Sequence, residues 1–454
     1  MKLNTLTISQ LQKLIRKKDI SPVEIVDACL HQIDRREEKI NAFITLTIEE
    51  ARAQAKRAES LQAKLSAEEM PPLLGIPLAV KDLYNTAGVR TTGGTAFLSD
   101  HIPEKDAEVI ARLKKAGMIM LGKTNTHEIA LGVTTVNPHY GTTKNPHDLA
   151  RIAGGSSGGS AAALSSDMVP AALGTDTGGS IRIPASLCGV VGLKPTRGLV
   201  SLRGIMPLSW NLDHAGPMAR SVRDAGLMLN AMAGYDADDA YSVRHPSEDY
   251  ASITEASLKH ARIGVAEYYL DLADAEVAFA VRESAQVFQS LGAKVESVDV
   301  AWLNEAYRAN ALMTPADGAA YHHERMIKTP EVYGEDVLRR LRMGAGYTST
   351  EYILARKTQT EMKWRMTQFF EKYDLLLLPT TSVAAPPIMG KDAVEQAKLL
   401  TRFTAPFNLI GVPALSVPCG FTERGLPIGL QIVGTNWDEK GVLEAGHAYE
   451  GVIK

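Results

Sequence analysis

The chain has 454 residues, room for one large domain or two to three smaller ones, and its 45% hydrophobic and 22% charged residues are ordinary for a globular protein. A formal charge of −3 gives no electrostatic case for direct contact with nucleic acid or an anionic membrane. No apolar run approaches the roughly 18 residues of a spanning helix, no signal-peptide pattern opens the chain, and three cysteines without CxxC spacing (Cys29, Cys188, Cys419) suit a reducing compartment, so a soluble cytoplasmic protein of enzyme size is expected.

In chain order, the first 70 residues read as helical. Ser21-Pro22-Val23-Glu24 forms a capping box with proline at the first helical position, and Ile25, Val26, Cys29, Leu30 and Ile33 follow at helical spacing. Thr47 to Glu50 repeats that signature ahead of an Ala-, Arg- and Lys-rich helix reaching about Leu65. From Pro71 the pattern changes. Gly75 to Val80 reads as a short buried strand ending at Lys81, Asp106 is the expected cap of a helix through Lys115, and Met118 to Leu121 reads as a second buried strand. Alternation of short strands and helices continues to about Gly234, which argues for a sheet covered by helices.

Residues 235–394 are more helical and more varied, yet Leu375 to Leu378, Ile410 to Pro418 and Gly429 to Val433 return to strand-like apolar runs. A sheet built from both ends of the chain predicts one α/β domain over 1–454. Within it are expected a helical cover (1–70), a core (71–234), a variable helical region (235–394) and a C-terminal return to the sheet (395–454).

Two Gly/Ser elements carry the chemistry. Ala153-Gly154-Gly155-Ser156-Ser157-Gly158-Gly159-Ser160 has the composition of a linker, but it runs straight into the apolar Ala161 to Leu164 and is followed by a strand at Val169 to Leu173. Glycines in that setting allow unusual backbone angles and close approach to a ligand. Gly174-Thr175-Asp176-Thr177-Gly178-Gly179-Ser180 then leaves the strand in a tight turn. A serine there can be an exposed nucleophile ringed by backbone N–H groups; an anion-binding turn is the competing reading.

None of the eleven histidines falls in a catalytic pattern, and His322-His323 sits in a polar helical stretch. Lys81, after Ile76-Pro77-Leu78-Ala79-Val80, is the better candidate base, since burial favours the neutral amine. Gly117 to Thr124 satisfies the Walker A pattern literally, but its intervening residues are themselves the apolar strand, so a phosphate loop is not expected.

Lys81-Asp82, the Gly154–Ser160 tract and Gly174-Thr175-Asp176-Thr177-Gly178-Gly179-Ser180-Ile181-Arg182-Ile183-Pro184-Ala185 together resemble the amidase signature family. Gly122 to Asn125, Cys188 through Thr196, Asp213 through Met218, Tyr373 through Thr380 and Gly425 to Gln431 extend the resemblance over nearly the whole chain. It implies a mixed sheet sandwiched between helical layers and a metal-free, cofactor-free Ser–Ser–Lys triad. Ser180 would be the nucleophile, Ser156 the bridging serine after a cis Gly155–Ser156 peptide, and Lys81 the base. The N–H groups of Thr177, Gly178, Gly179 and Ser180 would stabilise the oxyanion.

The activity implied is hydrolysis of a carboxamide through an acyl-enzyme. Ile129 to Thr134, Ile205 to Trp210 and Trp302 to Met343 are expected to line or lid the pocket, with Gly154, Gly155, Ile129 and Trp210 as substrate contacts. The expected partner is a small or medium amide, with a homodimer allowed for. The alternative is the glutamine-hydrolysing A subunit of a tRNA-dependent amidotransferase. That subunit commonly has an arginine and an acidic residue where this chain has Gln359 and Arg424, and Asp-Glu-Phe where it has His127-Glu128-Ile129. These departures argue for an amide other than glutamine.

Overall fold

A computed structural model describes residues 2–246, 248–253, 258–389 and 399–453. The expected boundary between 394 and 395 lies outside the described residues.

The N-terminal capping box is present. Ser21 Oγ accepts from the Glu24 N–H and the Glu24 carboxylate from the Ser21 N–H, opening α2 (Pro22–Ile40) after α1 (Ile8–Arg16). The second expected box is not. Thr47 Oγ1 donates to the Met120 carbonyl at 3.0 Å instead, so α3 (Ile48–Lys64) starts without a side-chain cap. Thr47 is held there because the cover contributes a strand of its own, β1 (Phe43–Leu46), which joins the sheet edge. Asp106 is likewise no cap. Its carboxylate takes the Ala87 N–H and Lys114 Nζ, and α4 (Glu108–Lys115) begins after Ala107.

The remaining strands of the large sheet are β2 (Pro77–Lys81), β3 (Ile119–Thr124), β4 (Ala171–Asp176), β5 (Val191–Lys194), β6 (His214–Ala219), β7 (Arg262–Ala266), β8 (Lys294–Val298), β9 (Leu375–Pro379), β10 (Ala414–Phe421) and β11 (Pro427–Val433). They lie in the order β1-β3-β2-β4-β6-β5-β10-β11-β9-β7-β8. Parallel pairs (β2 with β3 and β4, β7 with β8 and β9) flank a central antiparallel run from β4 to β9, so the sheet is mixed and draws strands from both ends of the chain. Residue Ile410 is not in a strand; it ends a short helix, and β10 starts at Ala414.

Both faces of the sheet are covered, which explains the unbroken apolar run of β9. Leu375 and Leu377 pack in one core cluster, and Leu376 and Leu378 in another that also contains Met313, Met362 and Phe407. The helices that position the site are α5 (Gly158–Ser165), α6 (Arg182–Cys188), and three further on in the chain. These last are α7 (Leu303–Tyr321), α8 (Glu335–Ala345) and α9 (Ser349–Phe370). Among the described residues no helix is long and apolar enough to cross a membrane.

Candidate active site

Parallel pairing of β2 with β4 sets Val80 opposite Leu173, so the C-terminal ends of both strands, Lys81 and Thr175, emerge side by side. The Gly/Ser tract docks on β4. Ser160 Oγ donates to the Leu173 carbonyl at 2.7 Å, and Ser157 Oγ sits 3.3 Å from both the nitrogen and the carbonyl oxygen of Thr175. The tract has no room for side chains at its bend: a Cβ on Gly155 would lie 2.8 Å from the Thr134 nitrogen. The Gly155–Ser156 peptide bond is cis.

This brings Lys81 Nζ to 2.8 Å from Ser156 Oγ and 2.8 Å from Thr175 Oγ1. Lys81 and Ser156 are fully buried. Burial, only partly offset by the charges of Asp176 and Asp213, lowers the Lys81 pKa to about 7. An amine at that value is substantially neutral near pH 7 and can take a proton.

The turn after β4 is built around Asp176. Its Oδ1 accepts from the Gly179 N–H at 2.7 Å and its Oδ2 from the Ile181 N–H at 3.0 Å, while Arg182 forks onto both oxygens at 2.9 and 3.0 Å. Burial would raise this carboxyl, but Arg182 and Asn408 outweigh it and hold it well below the usual range. Gly179, at φ 133°, permits the turn that no L-side chain would adopt there. The carbonyls of Thr177 and Gly178 are tied to Asn310 Nδ2 at 3.0 Å and Thr404 Oγ1 at 2.6 Å.

A planar trans peptide puts N–H opposite C=O, so this pinning turns the Gly178 N–H away from Asn310. The Gly179 N–H is not available to an oxyanion, because Asp176 occupies it. That removes Gly179 from the four expected donors; the amides of Thr177, Gly178 and Ser180 carry no hydrogen bond among the described residues.

Ser180 is 5% exposed and opens onto a cavity of about 290 Å³. The cavity is lined by Thr177, Gly178 and Ser180, by Ala130 to Val133 and Leu208, and by faces of α7 and α8. All three stretches expected to supply the lining do so, but the four individual residues expected as substrate contacts do not. Ile129 is buried at φ 47° in a cluster with Leu83 and Leu208. Trp210 lines a different cavity and meets Tyr321 edge-on. Gly154 and Gly155 are packed against Pro184 and Thr134.

Among the described residues no histidine lines the cavity. His322 is buried rather than in a polar stretch, with Nδ1 2.9 Å from Tyr333 Oη, and burial lowers its pKa to about 4. Among the described residues no group of three or more His, Cys, Asp or Glu is arranged to hold a metal ion.

Asp176, Arg182 and Thr175 lie inside the Gly/Ser motif, yet the sequence reading gives them no roles. An arginine within the apolar run Ile181 to Ala185 is the available signal, since a buried guanidinium requires a carboxylate. On α7 the lining residues Tyr307, Asn310, Ala311 and Thr314 follow the i, i+3, i+4, i+7 stripe of one helix face.

The family model for Amidase matches residues 24–443. The chain belongs to the amidase signature family. It is therefore an amidase signature enzyme, of the class that hydrolyses C–N bonds. It is 40% identical, over 99% of its length and 97% of the relative's, to the glutamyl-tRNA(Gln) amidotransferase A subunit of Roseiflexus sp. (strain RS-1). Among solved structures, one described as "An unexpected vestigial protein complex reveals the evolutionary origins of an s-triazine catabolic enzyme" superposes with a TM-score of 0.93 at 34% identity over 98% of both chains. The glutamyl-tRNA(Gln) amidotransferase A subunit of Thermotoga maritima gives 0.85 at 33% identity, over 99% of this chain and 95% of that one.

These names back the amidotransferase alternative better than the free-standing amidase. They also correct the expected partners. The relatives are named as A subunits of an amidotransferase, which overturns the expectation of a small amide and a homodimer as the only partners. Of the two departures set against glutamine at Gln359 and Arg424, neither lines the cavity. Gln359 Nε2 donates to the Leu409 carbonyl at 2.8 Å, and Arg424 borders a separate cavity with Arg151.

Proposed function

We propose that this chain hydrolyses a carboxamide through an acyl-enzyme on Ser180, as the catalytic subunit of an assembly with another protein, and that glutamine is its amide in a tRNA-dependent amidotransferase. The observation that carries the chemistry is the 2.8 Å contact between fully buried Lys81 and Ser156, with the Lys81 pKa lowered to about 7.

Neutral Lys81 takes the Ser156 proton as Ser156 Oγ takes the Ser180 proton, and Ser180 Oγ bonds to the amide carbon. The carbonyl π pair moves onto oxygen, where the amides of Thr177, Gly178 and Ser180 stabilise it; each such donor contributes about 3–4 kcal/mol in comparable sites. Collapse breaks the C–N bond while the relay returns a proton to the departing nitrogen. Water then adds to the acyl group by the same relay, releasing acid and free Ser180. The cytoplasm suits the three cysteines, none of which forms a disulfide.

The test is ammonia release from glutamine by the purified chain, alone and together with its co-expressed partner subunits, with the Ser180→Ala chain as blank. Glutamine-dependent ammonia that rises with the partner and vanishes in the blank is expected. A second reading, in which the chain acts on a different small amide within its assembly, is favoured by the closer superposition on the vestigial protein complex linked to the origins of an s-triazine catabolic enzyme, 0.93 against 0.85 at 34% and 33% identity. Hydrolysis of other amides with glutamine untouched would select it.

A further inference from the structure

The Ser180 cavity holds one charged side chain among its described lining residues. That side chain is Arg340 on α8; the others are apolar, small or neutral polar. Its Nε donates to Asp336 Oδ2 at 3.0 Å, and its side chain keeps 33% exposure. Nη1 and Nη2 make no hydrogen bond among the described residues.

Asp336 does not neutralise the site, because it also accepts from Arg339 at 2.6 Å and lies 3.7 Å from His127 Nε2. Two guanidinium groups, those of Arg339 and Arg340, thus share the Asp336 carboxylate. The start of α8 is tied to the Ser156 segment. Gly334, just before α8, donates its N–H to the fully buried Glu128 carboxylate at 2.9 Å, and the neighbouring His127 N–H donates to the Ser156 carbonyl at 3.2 Å.

The geometry points to Arg340 as the specificity-determining residue of this cavity, binding a carboxylate at the end of the substrate remote from the scissile amide. The inference deepens the proposed amide hydrolysis and rests on it for the position of that amide at Ser180. With Nε taken by Asp336, the free Nη1 and Nη2 groups match a carboxylate end-on in a bidentate fork. A cavity of about 290 Å³ admits only a small substrate beside it. The substrate class is a short ω-amide of a dicarboxylic acid, a group that includes the carboxylate-bearing end of glutamine.

The experiment measures calorimetric binding of malonamate, succinamate, glutaramate and adipamate to the Ser180→Ala chain, with pentanamide as the uncharged counterpart of glutaramate. The best of the four acids is expected to bind at least about 10-fold tighter than pentanamide, as hydrogen bonds to a charged group allow. Adding Arg340→Met is expected to remove that preference, and Arg340→Lys to retain part of it, which separates lost charge from lost folding. Equal binding of acid and neutral amide, no binding of any acid, or a preference that survives Arg340→Met overturns the assignment. Turnover is read separately in the chain with Ser180 intact. If, together with its co-expressed partner subunits, it hydrolyses neither these amides nor glutamine, the hydrolysis reading fails while the binding results still judge Arg340.

Discussion

Two buried lysines stand one residue apart in register on neighbouring parallel strands, and their surroundings differ. Lys123 lies opposite Val80, so pleating puts it on the face away from Lys81, where Asp82 also points. There it has a carboxylate 3.7 Å away, Thr91 Oγ1 at 2.9 Å and the Tyr84 carbonyl in contact. Burial lowers its pKa to about 8, with Asp82 acting against the shift. Among the described residues Lys81 has no carboxylate in hydrogen-bond contact; its close partners are two hydroxyls, those of Ser156 and Thr175. Burial lowers both pKa values, so a lowered value alone does not mark a base. What distinguishes Lys81 is the Ser156 hydroxyl beside it, which in the proposed relay passes a proton between Lys81 and Ser180 at the cavity.

The largest effect that sharpens this contrast lies downstream of Lys81. Ser180→Ala deletes the atom that becomes covalently bonded, and amide turnover is expected to fall by about 10⁴-fold or more, with fluorophosphonate labelling lost. Labelling that persists in Ser180→Ala and disappears in Ser156→Ala would reverse the two roles.

Substituting the lysines themselves comes next. Lys81→Ala is expected to lower kcat by about 10²- to 10⁴-fold, the range of a general base, and Lys81→Arg to do no better because guanidinium keeps its proton. Lys123→Met should act on stability instead. It leaves Asp82 buried without its cation, a loss of about 3–5 kcal/mol in denaturant unfolding, with kcat of the folded fraction within a few-fold of the parent. A Lys123→Met protein that folds normally and loses turnover would break the comparison.

The contrast also shows what the sequence could convey. The sequence singles out Lys81 because a lysine after five apolar residues is conspicuous, and Ser180 by its Gly-Gly turn, while Ser156 came from the family resemblance; the structure puts Lys81 beside Ser156. The stretches that line the cavity were legible as stretches. Individual contacts were not, because Ile129 turns inward at a positive φ and Trp210 follows a loop into a second cavity, and both depend on packing across the chain. Thr47 misleads for a similar reason: its hydroxyl has a better acceptor in Met120 once the unforeseen β1 reaches the sheet. The Gly179 amide looks like an oxyanion donor because the sequence does not reveal that the Asp176 carboxylate turns back onto it.

A smaller effect tests the second hydroxyl beside Lys81. Thr175→Val removes an acceptor for the ammonium form, so the proton should leave Lys81 more easily and the midpoint of the rate–pH curve should shift downward by a fraction of a unit. A shift upward would mean that Thr175 instead donates to the neutral amine.

The most direct test of the central claim is the pH dependence of kcat/KM for the parent chain and for Lys81→Ala. Lys81 acts only when unprotonated, and its pKa is lowered to about 7. The parent rate should therefore climb about tenfold per pH unit on the acid side, bend near pH 7 and stay level on the alkaline side until unfolding. In Lys81→Ala the residual rate should lack that bend. A bend near about pH 6.5 that persists in Lys81→Ala, at a rate close to the parent's, would assign the base to a histidine and contradict the relay.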